Sequence, residues 1–237
     1  MKNVKALAAK KHRDETGLFV VEGEKMVSEA LESDFEVLQV WRRDEIGEEA
    51  MARISSLSTP SPVLAVLRQR PASPPPLSAG LYLALDSIRD PGNLGTILRI
   101  ADWFGIRHIA ATPDTVELYN PKVVQATMGA IFRVQLHYVP LKPYLQDILS
   151  AGGSVYGTFL DGDNLYGKAL ETGAQSPAVI VIGNESNGIS PEIGALVTDR
   201  LYIPPYPGGE PTSESLNAAI ATAVTVAEFR RRQWASR

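Results

Sequence analysis

The chain has 237 residues, 23 Lys and Arg against 27 Asp and Glu, a net charge of −4 and no cysteine, which excludes disulfides and thiolate metal ligands and fits a reducing, cytoplasmic compartment. Its three histidines, His12, His108 and His137, lie too far apart to form a metal-ligand spacing, and no apolar run reaches the length of a membrane span. Because the chain is acidic overall, a nucleic-acid partner has to be held by local basic patches, of which residues 1–13 and Arg230-Arg231-Arg232 are two.

In chain order, residues 1–13 read as a basic helix, and Asp14 and Glu15 follow at once, unlike a transit peptide. Leu18–Val21 reads as a strand, and Gly23–Ser33 as a helix with Met26, Val27, Ala30 and Leu31 inward. Phe35–Trp41 alternates as a strand, 44–57 reads as a helix and Val63–Leu67 as another strand. Residues 1–70 thus form a small α/β unit. Residues 71–80, PASPPPLSAG, hold four prolines and read as a linker. From 81 to 237, strands near 81–85, 107–111, 133–138, 154–159, 178–182 and 199–203 alternate with helices near 92–104, 120–129, 143–151 and 213–232. This alternation predicts a parallel sheet with helices on both faces.

Three stretches carry candidate chemistry. Asp86–Gly105 follows a buried apolar run and passes through Asp90-Pro91-Gly92-Asn93 into a helix striped by Leu94, Ile97, Leu98 and Ala101, with Arg99 beside the stripe. A strand, a glycine-containing turn and a helix N-terminus can hold an anion or a polar ligand, though they also make an ordinary structural unit. Ala178–Ser190 is a buried strand ending at Gly183, followed by Asn184, Glu185, Asn187 and Gly188. Leu201–Arg232 is a strand, a Pro/Gly loop and an Ala-rich helix that Thr212 or Ser213 can N-cap. Gly162–Lys168 has the spacing of a phosphate-binding loop, but Ala169 replaces the Ser or Thr that would hold magnesium, so no NTPase is expected.

Together DPGNLGTILRIADWFG, VIGNESNGIS and IPPYPGGEPTSESLNAAIATA resemble the three motifs of the SpoU (TrmH-type) RNA 2′-O-methyltransferases of the SPOUT superfamily, in family order. Residues 18–32, LFVVEGEKMVSEALE, resemble the N-terminal substrate-binding domain of the ribosomal-RNA members. The resemblance implies a deep trefoil knot, a homodimer, S-adenosylmethionine bound in the knot and no metal. It implies cofactor contacts from Thr158, Gly183, Ile203 and Leu216. It puts Asn93, Arg99, Glu185, Ser215 and Asn217 near the reaction centre. Arginine gives up its proton too reluctantly to act as a base, so Arg99 is expected to clamp phosphate, and Glu185 or a substrate phosphate to take the proton. Ribosomal RNA is the expected substrate. A transfer-RNA substrate and a catalytically silent RNA binder of the same fold are the alternatives. Two departures stand out: Ser186 replaces a usual glycine, and the loop from Pro204 to Ser213 is long.

Overall fold

The computed structural model describes residues 4–208 and 213–235. A short 3-10 turn, Lys5–Ala8, leads into α1 (Lys10–Thr16), followed by β1 (Leu18–Glu22), α2 (Glu24–Glu32) and β2 (Val37–Arg42). Two short helices, α3 (Arg43–Ile46) and α4 (Glu48–Ile54), precede β3 (Val63–Arg68). The expected single helix over 44–57 is therefore broken. Gly47 sits at φ 83°, a left-handed conformation that glycine adopts without strain. Beyond Ile54 the chain leaves the helix so that Ser55 and Ser56 can hydrogen-bond the buried Glu22 carboxylate. The three strands pair antiparallel in the order β1-β3-β2. Leu31, expected inward, is 55% exposed.

Residues 69–79 carry no helix or strand. The larger unit then runs β4 (Gly80–Leu85), α5 (Pro91–Trp103), β5 (His108–Ala111), α6 (Pro121–Thr127), β6 (Gln135–Tyr138), α7 (Leu141–Ser150), β7 (Ser154–Asn164), β8 (Pro177–Ile182), α8 (Pro191–Gly194), β9 (Asp199–Tyr202) and α9 (Ala218–Ala235). Its six strands are all parallel, in the order β6-β5-β4-β8-β7-β9. Successive residues of a strand point to opposite faces. Leu81, Leu83 and Leu85 of β4 and Ala178, Ile180 and Ile182 of β8 therefore join one apolar cluster, with α5, α6 and α9. Tyr82, Ala84, Val179 and Val181 join a second, under α7 and α8. Burial on both faces is why β4 and β8 read as continuous apolar runs. Gly95 lets α5 approach α6 closely, since a Cβ there would lie 2.4 Å from that of Ala126.

The first cluster extends into the small sheet through Phe19, Val21 and Leu67, and Phe19 packs on Tyr119 with ring centroids 4.6 Å apart. Here one basic patch is corrected. Arg13 is 2% exposed, donates to Glu117 Oε1 at 2.9 Å and to the Leu7 and Ala8 carbonyls, and so braces the two parts of the chain instead of facing solvent. The C-terminal patch is corrected too. Arg231 and Arg232 both donate to the buried carboxylate of Glu228. Arg232 also donates to the Leu165 and Tyr166 carbonyls at 2.9 and 3.0 Å. It thereby anchors the turn after β7 whose sequence mimics a phosphate loop.

Two outcomes are expected. Gly95→Ala overpacks the α5–α6 contact and lowers the unfolding free energy by about 1–3 kcal/mol in a denaturant titration, and Ala126→Gly in the same chain restores part of the loss. Hydrogen bonds from Arg231 and then Arg232 hold the Glu228 carboxyl down at about 2, against an ordinary value of 4.5. A carboxyl lowered by folding contributes stability that is complete above its unfolded value and is lost as pH falls through its folded one. The stability difference between the wild type and Glu228→Gln should therefore narrow as pH drops from about 4.5 toward 2. A difference that does not change over that range argues against the pairing.

Candidate active site

In an open parallel sheet, ligands bind beyond the carboxyl ends of the strands, where the strand order reverses. That point here is β4, which has β5 on one side and β8 on the other. The loops leaving β4 and β8 are tied together. The carboxylate of Asp86, buried at 4% exposure, accepts from the Ser190 backbone N–H at 2.7 Å. Asn184 Nδ2 donates to the Ser87 carbonyl at 2.7 Å. Asn184 Oδ1 accepts from the backbone of Ser186 and Asn187, and Asn184 and Gly188 exchange two backbone hydrogen bonds at 2.9 Å. Gly183 must be glycine, because a Cβ there would lie 2.2 Å from the Gly188 carbonyl carbon. The serine at 186 costs this turn nothing: the left-handed residue is Gly188, at φ 67°.

The helix α5 starts at Pro91, and Asp90 caps it by accepting from the Asn93 N–H at 2.7 Å. Asp90-Pro91-Gly92-Asn93 is thus the helix start itself, not a turn before it. The cap places Asn93 in the first turn, facing the β8 loop. Asn93 Nδ2 donates to Glu185 Oε1 at 2.7 Å, and Asn93 Oδ1 accepts from Asn217 Nδ2 at 2.9 Å. Asn217 Oδ1 accepts from the backbone N–H groups of Ala219 and Ile220, at 3.0 and 3.3 Å. Asn217 is therefore the cap of α9. The expected helix start near 213 is corrected to Ala218, because the Asn217 side chain satisfies the first free N–H groups there. The proposed cap Thr212 lies outside the described residues.

Residues from all three stretches thus meet in one chain of hydrogen bonds, Asn217 to Asn93 to Glu185. Among the described residues Glu185 Oε2 receives only a long contact, 3.4 Å from Asn184 Nδ2, and the residue is exposed. Arg99 does not join the chain. Six residues beyond Asn93, it lies about 9 Å along the axis and about a third of a turn around α5. It is exposed and has no ion pair or hydrogen bond among the described residues.

Beside this chain is a cavity of about 830 Å³ at the ends of β7, β8 and β9. Thr158, Gly183, Ile203 and Leu216 all line it, with Glu185 and Ser215 on the same wall. Its size suits a nucleoside-sized ligand. Backbone amides around Gly183, apolar Ile203 and Leu216 and the Glu185 carboxylate suit the adenosine and sulfonium of S-adenosylmethionine, so the residues present fit that cofactor. Sequence reasoning missed Asp86 and Asn184 as the ties between loops, and Leu160 and Tyr206 as lining. The signal for Asp86 was present, because an acid directly after a buried apolar strand needs a partner.

The chain is similar to known proteins over almost its whole length. Residues 80–227 match the SpoU rRNA Methylase family, and residues 1–45 match the MRM3-like substrate binding domain. The 23S rRNA (guanosine(2553)-2′-O)-methyltransferase RlmP of Bacillus subtilis is 29% identical over 97% of this chain and 95% of its own. The AdoMet-bound rRNA methyltransferase of Sinorhizobium meliloti is 31% identical, with TM-score 0.85, over 98% of this chain and 94% of its own. A TrmH-family protein from Porphyromonas gingivalis is 39% identical, with TM-score 0.87, over 98% of this chain and 96% of its own. An all-parallel sheet with a cofactor-sized cavity at the carboxyl ends of β7, β8 and β9, and a family match over more than half the residues, lead to one conclusion: the chain belongs to the SpoU rRNA methylase family.

Proposed function

We propose that the protein methylates a ribose 2′-hydroxyl of ribosomal RNA, with S-adenosylmethionine as donor. The observation that carries this is the hydrogen-bond chain Asn217–Asn93–Glu185 running beside the cavity of Thr158, Gly183, Ile203 and Leu216. Held by the cavity of Thr158, Gly183, Ile203 and Leu216, S-adenosylmethionine would supply an electrophilic methyl group on a sulfonium, whose leaving group is a neutral thioether. The ribose hydroxyl is a weak nucleophile until its proton leaves. Glu185 takes that proton on Oε2, while Asn93 fixes its orientation through Oε1. Ser215 lines the wall where the ribose enters. Arg99, exposed and unpaired among the described residues, holds a phosphate flanking the target nucleotide, and its planar fork suits that task. Its distance from Asn93 along α5 favours a clamp over a base.

Residues 1–70 act, in this reading, as the RNA substrate-binding unit, joined by the linker 71–80 to the methyltransferase unit 81–237, whose C-terminal part is knotted. Lys10 and Lys11 are exposed on α1, paired within the helix to Asp14 at 2.6 Å and Glu15 at 3.9 Å, and an RNA phosphate would have to compete with those exposed pairs for them; Arg13 is buried and takes no part. The match of residues 1–45 to a substrate-binding domain of the MRM3 type favours ribosomal over transfer RNA. Among the described residues no helix is long and apolar enough to cross a membrane, and we place the reaction in the cytoplasm. We further propose a homodimer through α5 and α9, which pack together and expose Trp103 at 85%, Ile220 at 51% and Trp234 at 82%.

Methyl transfer from labelled cofactor to total RNA, followed by mapping of the modified nucleotide, tests the activity. A protein that binds RNA and cofactor but transfers nothing is the silent binder, and a modified transfer RNA moves the substrate. Three variants test the roles. Arg99→Ala should cut turnover on the order of a hundredfold or more with cofactor affinity by calorimetry unchanged. Asn217→Ala should lose the cap, about 1 kcal/mol of stability, together with cofactor affinity and turnover. Asn217→Asp keeps the capping oxygen and so the start of α9, but turns an oxygen toward Asn93 Oδ1 and loses turnover. Cofactor binding lost in Arg99→Ala and kept in Asn217→Ala reverses this division. In sedimentation the protein should run at twice the 25.7 kDa chain mass, and a monomer at micromolar concentration refutes the dimer.

A further inference from the structure

Singly exposed apolar side chains are common on protein surfaces, but a convergence of them is not. Three line the cavity, each from a different segment: Leu160 at 67% exposure, Tyr206 at 99% and Leu216 at 49%. Leu160 sits in a detour within β7. Thr158 and Asp163 both pair with Leu201, so residues 159–162 leave the ladder and return to the same place. The detour is braced. The Arg200 guanidinium lies 3.5 Å from the Phe159 ring centroid and is ion-paired to Asp161. Tyr206 follows β9 between Pro205 and Pro207, whose fixed φ angles limit the backbone freedom lost on binding. Its hydroxyl makes no hydrogen bond among the described residues.

We propose that Tyr206 is a stacking platform for the base of the nucleotide being methylated, with Leu160 as a second apolar contact; this rests on the reading of the protein as an RNA 2′-O-methyltransferase. The chemistry of a nucleotide carries the argument. The base hangs on C1′, next to the C2′ that bears the reacting hydroxyl. A ribose that sends its 2′-hydroxyl into the cavity therefore leaves its base at the rim. At 99% exposure the Tyr206 ring is covered by none of the described residues, so it stands at that rim with its faces open to what arrives from solvent. Unstacked RNA bases are held by aromatic faces, and a tyrosine gives a large contact area for few rotatable bonds. Every base has such a face, so this platform holds the target without choosing its identity. Residue identity at 206 then governs RNA affinity and leaves the cofactor alone.

The test uses the full chain, with the ribosomal RNA fragment that carries the mapped nucleotide as probe. Wild type, Tyr206→Ala, Tyr206→Phe and Leu160→Ala are compared by methyl transfer at saturating cofactor, by anisotropy of labelled RNA without cofactor, and by calorimetry with S-adenosylmethionine alone. Tyr206→Ala should raise the KM for RNA and the RNA Kd by about tenfold or more, with cofactor affinity unchanged. Tyr206→Phe should stay within about twofold of wild type, because stacking needs the ring and not the hydroxyl. Leu160→Ala should show a smaller loss in the same RNA readouts. The proposal is overturned if Tyr206→Ala leaves RNA binding intact, if Tyr206→Phe loses as much as Tyr206→Ala, or if cofactor affinity falls in step with RNA affinity. A wild type that transfers no methyl group to any RNA overturns the functional reading itself. An active wild type with an indifferent Tyr206→Ala removes the platform alone.

Discussion

The side-chain amide of Asn93 is the contact on which the site depends. One amide has a donor end and an acceptor end, and here each end is used: Nδ2 gives to Glu185 and Oδ1 takes from Asn217. The amide cannot rotate by half a turn without setting oxygen against oxygen and nitrogen against nitrogen. Its orientation is therefore determined, and with it the orientation of the Glu185 carboxylate. Asn217 is held in turn by the first N–H groups of α9. A carboxylate is thus aimed by a helix start some thirty residues further along the chain.

The sheet makes this meeting possible. Because all six strands run the same way, every loop that follows a strand leaves from the same edge. The strand order brings β4 beside β8, so residues 93 and 185 become neighbours. The cross-links Asp86 to Ser190 and Asn184 to Ser87 then hold the two loops in one geometry. These ties belong to the loops' own backbone satisfaction as much as to the site. The same hydrogen bonds that satisfy loops at a buried edge also keep the chemistry-bearing residues in register.

Much of this was legible in the residues. β4 and β8 read as strands because burial on both faces demands uninterrupted apolar runs, and the three stretches read as one site through their likeness to a family. What escaped has a common cause. Arg13 reads as part of a basic patch, yet its partner Glu117 is 104 residues away. Thr212 and Ser213 are sound caps by local propensity, yet Asn217 begins the helix because it also answers to Asn93. The end of β7 was missed because 160–164 lacks the apolar run that marks the strand's first half. The angular offset of Arg99 from Asn93 follows from helix geometry alone, but its meaning needed the position of Glu185. In each case a contact distant in sequence overrode a local signal.

The detour in β7 has an evolutionary consequence. Since Thr158 and Asp163 oppose the same residue, Leu201, the ladder does not record how many residues lie between them. Insertions or deletions at 159–162 leave the pairing of the strand on either side unshifted. The sheet is thereby insulated from changes in one wall of the cavity. Relatives can lengthen, shorten or recompose that wall to suit a different nucleic-acid surface, while the strands that define the fold pass from ancestor to descendant without a change of register.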